Sequence, residues 1–275
     1  MVDSILKKQF PQLEEKDIEK IHSKIGDKSN DFYFVEFLKA TSGNIDDAYR
    51  LLKFDEELRS FLMKYLLRLE IQIKSDFMSC LVKSTGDSSF WEKKENYISQ
   101  SEDEFNKLKQ KIHESFNNLN IPYSQKDPFA VAYVISFGTF VTLFKNIKLE
   151  HKEAFIKKYS KKLYKKDDYR LLHKYFLCIK ALRNRCAHGT HIVSISFVNQ
   201  LNQFNYITKV ENVGDSSIRY SVFDLTLEYL IDTIYCSTEF KTKLLELLKK
   251  RRPLYSKYGG KQSINPSIIE KLDKK

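Results

Sequence analysis

Apolar residues recur along this chain mostly at three- and four-residue steps, the spacing that gathers them on one face of an α-helix. Leu13, Ile18, Ile21 and Ile25 mark one such helix within residues 12–25. The longest pattern is FDEELRSFLMKYLLRLEIQIKSDFMSCLV (54–82), in which Leu58, Phe61, Leu62, Tyr65, Leu69, Ile73 and Phe77 share one side. Asp55 is placed to cap its start. KSTGDSSFW (83–91) ends it, with Trp91 expected as a packing anchor, and a polar helix follows over about 101–119 before the loop IPYSQKDP. DPFAVAYVISFGTFVTLFKNI (127–147) is apolar nearly throughout and predicts one buried helix, with Gly138 permitting a close crossing. Residues 153–163 and 168–188 read as two basic helices. Beyond Gly189 the period shortens to alternation in IVSISFV and FNYITKVENVGDSSIRYSVF, as a short hairpin around GDSS would show. Helical spacing returns over 223–250.

The expected fold is therefore all-α with a brief extended excursion. A single helical body over residues 1–252 is favoured over a split near 120–127, and a basic, mobile tail is expected over 253–275.

Composition agrees with a helical globular protein: 42% hydrophobic and 30% charged residues, with only 8 Gly and 5 Pro. Charge adds a direction. The net +11 is concentrated, with twelve Lys or Arg against three Asp or Glu in residues 151–185 and eleven against three in 241–275. The rest of the chain is net acidic. Such segments suit a polyanion, nucleic acid before an anionic membrane surface. Lys157, Lys158, Lys161, Lys162, Lys165, Lys166, Lys180 and Arg185 are the candidate phosphate contacts. The four cysteines are scattered with no C-x-x-C pair, which argues against structural zinc or a disulfide framework and fits a reducing compartment. No run approaches the roughly 18 apolar residues of a membrane span, so a cytoplasmic protein is expected. No metal cluster or cofactor motif stands out.

The candidate chemistry lies in ALRNRCAHGT (181–190). On a helix at about 100° per residue, Leu171, Tyr175, Ile179, Leu182 and Cys186 form the core stripe. Asn184 and His188 then fall on the opposite side, one turn apart. Arg183 and His188 are about 140° from each other, so one helix does not easily converge them on a single atom. Two copies packed across a two-fold axis would, with Ala187 leaving room. A histidine can move protons between a ribose 2′-OH and a leaving 5′-oxygen near neutral pH, and an arginine can stabilise charge on the phosphate. Arg185 and His191 offer a rival pairing, but His191 lies past Gly189, where the helix is expected to end.

RNRCAHG (183–189) resembles the R-N-x-x-A-H motif of HEPN-superfamily ribonucleases in the form carried by Abi-like (AbiD/AbiF) abortive-infection proteins. YRLLKFDEELRSFLMKYLLRLEIQIKSDF (49–77) is similar to that family's Y-x-F-D-x-x-L-R segment and following helix, and DPFAVAYVISFGTFVTLFKNI is similar to its buried S-F-G helix. The three stretches occur in family order and span roughly residues 45–190. The resemblance implies an all-α HEPN bundle that dimerises to build a composite endoribonuclease site, with Arg183 and His188 catalytic and Asn184 supporting. It further implies a toxin-like role in phage defence, restrained by a cognate non-coding RNA. This chain departs from the pattern after His188, where GTHIVSIS replaces a second histidine and an Arg-Leu-Trp run. Two other readings stand beside it: an inactive RNA-binding protein of the same fold, and a protein-interaction regulator. RNA and a second copy of the chain are the expected partners, with neither DNA nor membrane.

Overall fold

The computed structural model describes residues 2–25, 31–98, 102–122, 127–161, 168–193, 209–213, 216–220, 222–234 and 237–258. Among them are eleven α-helices: α1 (Val2–Gln9), α2 (Glu15–Ile25), α3 (Asp31–Ala40), α4 (Ile45–Thr85), α5 (Glu102–Asn118), α6 (Pro128–Val134), α7 (Phe137–Asn146), α8 (Leu149–Tyr159), α9 (Tyr169–Ala187), α10 (Val222–Thr233) and α11 (Ser237–Tyr258). The fold is all-α. The predicted excursion is present as two antiparallel strands, β1 (Lys209–Val213) and β2 (Ser216–Tyr220), with Val213 opposite Ser216. IVSISFV lies outside the described residues from position 194 onward. No described helix is long and apolar enough to cross a membrane.

The chain divides into two compact units. One comprises Met1–Met63, Asn184–Ile231 and Cys236–Lys275; the other comprises Lys64–Arg183 and Asp232–Tyr235. Helices α4 and α9 each contribute to both.

In the first unit, α4 starts nine residues before the position expected for it. Asn44 accepts the backbone N–H of Asp47 at 3.0 Å and serves as the cap, directly after Gly43 at φ +84°. Asp55 is consequently no cap; it lies inside α4, fully buried. Phe61 stacks on Phe240 of α11 at 5.2 Å. α11 runs through Pro253 to Tyr258, past the expected end of the helical body at 252. Leu254 is buried, and Lys257 reaches Asp47 at 2.6 Å, so this turn is anchored although Pro253 brings no backbone donor. Residues 259–275 of the expected tail lie outside the described residues.

The second unit has an aromatic core. Phe77 of α4 meets Phe140, Phe144 and Phe155 edge-on at 5.0–5.7 Å, and Phe176 of α9 joins Phe140 and Phe144. Trp91 is buried against Phe90, and its carbonyl accepts the Tyr97 hydroxyl at 2.8 Å. The apolar run 127–147 is two helices rather than one. Asp127 caps α6 through the Ala130 N–H with Pro128 in the first turn, and Ser136 caps α7 through the Thr139 N–H at 3.0 Å. Between them Ile135 is extended, and its carbonyl takes a hydrogen bond from buried Lys74 at 2.8 Å. Nor is the run wholly buried: Phe129 and Tyr133 of α6 are exposed.

Candidate functional site

The end of α9 determines how the motif is presented. Asp168 caps its start, accepting from the N–H groups of Arg170 and Leu171. Leu171, Tyr175, Ile179 and Leu182 form the buried stripe. At the C-terminus the His188 N–H still bonds to the Asn184 carbonyl at 2.9 Å, Gly189 takes φ +69°, and the Thr190 N–H closes back on the Arg185 carbonyl at 3.0 Å. This is a Schellman cap with Gly189 in the left-handed position. His188 is thus the final residue in helical register, and its side chain is exposed. Asn184, one turn earlier, is half-buried. Cys186, expected on the core stripe, is half-buried, and burial pushes its thiol up to about 12.

Arg183 belongs to the second unit, where its Nε lies 3.3 Å from the Glu70 carboxylate. Glu70 is itself buried and also pairs with Lys74 at 3.1 Å; Lys74 in turn holds the Ile135 carbonyl. A buried carboxylate therefore sits beside the guanidinium as its ion-pair partner, although Arg183 Nε and Glu70 Oε2 are not aligned as a hydrogen bond. Composition gave no hint of Glu70. Its sequence signal is local: Glu70 and Lys74, at i and i+4, flank the apolar stripe positions Leu69 and Ile73.

In the first unit, the chain leaving Gly189 is held by α4. Buried Asp55 accepts from the Ile192 N–H at 2.9 Å, the Val193 N–H at 2.8 Å and Arg59 Nε at 2.7 Å, while His191 Nδ1 lies 3.1 Å away. Burial alone would raise the Asp55 carboxyl, yet His191, the Val193 N–H and Arg59 together hold it below the usual value. His191 is 5% exposed and packs edge-on against Phe37 at 4.4 Å. Its place is a buried brace, not an exposed partner for His188. The rival arginine is also occupied: Arg185 Nη1 donates to the His191 carbonyl at 2.7 Å. The F-D-x-x-L-R stretch (Phe54, Asp55, Leu58, Arg59) thus supplies the clamp for the residues after the motif.

The described candidate phosphate contacts differ in their surroundings. Lys157 and Lys158 are exposed near the end of α8 and Lys161 just beyond it, with Lys158 paired to Asp76 at 2.6 Å. Lys180 is half-buried and lies across Gly138, where an added Cβ would come 3.2 Å from its Cε. Gly138 therefore admits a lysine side chain rather than a helix backbone. Lys162, Lys165 and Lys166 lie outside the described residues. Among the described residues no group of His, Cys, Asp and Glu is arranged to hold a metal ion.

No curated protein and no solved structure matches the chain. Residues 16–194 match the family described as Abi-like protein, a span running from α2 through the motif to the residues that Asp55 clamps. With nearly two thirds of its length matched, the chain belongs to the Abi-like protein family, and its function is of the abortive-infection type.

Proposed function

We propose that this chain is an endoribonuclease of the HEPN type, close to the AbiD/AbiF proteins, that acts as a toxin in phage defence. One observation carries the reading: an exposed imidazole at the capped end of α9, five residues after an arginine ion-paired with a buried glutamate. In a dimer two such ends would meet over one ribose-phosphate linkage. An imidazole removes the proton from the 2′-OH as O2′ bonds to phosphorus, and the P–O5′ bond breaks as a proton passes to O5′. The Arg183 guanidinium stabilises charge on the phosphoryl oxygens, and Asn184 supports the His188 side of the site. The products are a 2′,3′-cyclic phosphate and a 5′-hydroxyl. DNA, lacking the 2′-OH, is spared. The basic segments are the expected grip for a restraining non-coding RNA.

The test is cleavage of bulk RNA by the wild-type chain and by His188→Ala, both in EDTA. Activity is expected to persist in chelator and to fall by roughly 10²–10⁴-fold in the variant, the range for loss of a general acid–base. Mixing Arg183→Ala with His188→Ala chains tests the shared site: partial recovery supports it, and no recovery favours a site within one chain. RNA binding without cleavage by the wild type would sink the enzyme reading in favour of an inactive RNA-binding protein.

A further inference from the structure

Within the unit spanning Lys64–Arg183, helices α5, α7 and α9 line a cleft of about 710 Å³, a size typical of small-ligand sites. Leu108, Val141 and Leu177 give it apolar surface. Lys107 and Lys111 reach it from successive turns of α5, Lys145 from α7 and Lys180 from α9, against a single carboxylate, Glu104. None of these four lysines has a carboxylate within ion-pairing distance among the described residues, unlike Lys158 or Lys74 of the same unit. Lys180 runs close over Gly138, where an added Cβ would meet its Cε at 3.2 Å and its Nζ at 3.3 Å. His173 completes the wall, its ring stacked over Phe144 at 6.4 Å and 18°. Burial and the nearby Lys145, Lys152 and Lys174 lower that imidazole to about 4, so at neutral pH it offers an uncharged ring.

Unpaired cations converging over an apolar and aromatic wall are complementary to a ligand with phosphate at one end and a flat ring at the other. We propose that this cleft binds a phosphorylated nucleotide, its phosphates on Lys107, Lys111, Lys145 and Lys180 and its base against Leu177 and His173. A free nucleotide and the 5′-phosphorylated end of an RNA present the same chemistry. The assignment does not depend on the ribonuclease reading, since Arg183, Asn184 and His188 do not line the cleft.

The experiment is calorimetric titration of the full chain with ATP, adenosine, inorganic phosphate, and a short 2′-O-methyl RNA with or without a 5′-phosphate. Saturable binding of ATP or of the phosphorylated oligomer is expected, with adenosine, inorganic phosphate and the 5′-hydroxyl oligomer markedly weaker. Preference between the first two identifies the source. Lys145→Glu should weaken binding by roughly tenfold or more, the effect of losing a charge-assisted hydrogen bond. Thr142→Trp, which fills the cleft, should abolish it. Lys8→Glu, an exposed lysine of the other unit, should leave it unchanged. Melting curves verify folding, with Lys111→Gln replacing any variant that melts early. The proposal is overturned if neither phosphorylated ligand saturates, if adenosine binds as well as ATP, or if Lys8→Glu weakens binding as much as Lys145→Glu.

Discussion

His191 Nδ1 lies 3.1 Å from the Asp55 carboxylate, joining the segment after the motif to a residue 136 positions earlier in the chain. Asp55→Asn leaves Arg59 and His191 facing a neutral amide in a buried setting. A loss of roughly 3 kcal/mol is expected, as for breaking a buried charge pair, measured by urea denaturation at pH 7. The folded Asp55 carboxyl sits below its unfolded value of 3.8. Its contribution is therefore complete above that value and lost as pH falls through the folded pKa. The difference between wild type and variant should shrink once pH drops below about 4; a difference unchanged at pH 3 contradicts the assignment.

Glu70 is the buried ion-pair partner of Arg183 and is expected to position it. Glu70→Gln removes the charge behind the guanidinium and leaves buried Lys74 without its carboxylate, so a loss of roughly 3 kcal/mol in stability is expected. The double change Glu70→Gln with Lys74→Met should recover much of that stability without restoring RNA cleavage. Recovery of both together would show that Glu70 acts only through folding.

Gly189 permits the cap that ends α9. Gly189→Ala places a side chain at φ +69°, a strain of about 1–2 kcal/mol. Thermal melting should fall accordingly. Cleavage should fall by more than stability explains, because the last helical turn carries His188. Wild-type cleavage with a lowered melting point would separate the cap from the chemistry.

His173 gives the second unit its own pH dependence. Its folded value near 4 lies below the unfolded 6.5, so the unfolded chain binds more protons between these values. Stability should fall as pH drops from 6.5 towards 4. His173→Gln should flatten that slope in denaturation midpoints taken across the range.

The sequence pattern was most informative where one periodicity ran alone. The stripe through Leu58, Leu62, Leu69, Ile73 and Phe77 is buried as its spacing predicts, and the angles that turned His188 away from Leu182 agree with its exposure. It misled where two residues offered the same cue. Asn44 and Asp55 are both good caps, and only the tertiary fold shows that one caps α4 while the other is drawn inside. The run 127–147 concealed a break because a continuous apolar stretch has no period to interrupt; Ser136 and the distant Lys74 make it. Glu70 escaped notice because a charge on a long helix ordinarily faces water. Lys157, Lys158, Lys180 and Arg185 were alike in sequence but differ in surroundings, which charge counting cannot distinguish.

Asp55 grips residues 192 and 193 by their main-chain amides. Such a grip ignores side-chain identity but excludes proline, which has no amide hydrogen to offer. Insertions after the motif can therefore begin only downstream of Val193, where added chain would leave the imidazole's mounting undisturbed.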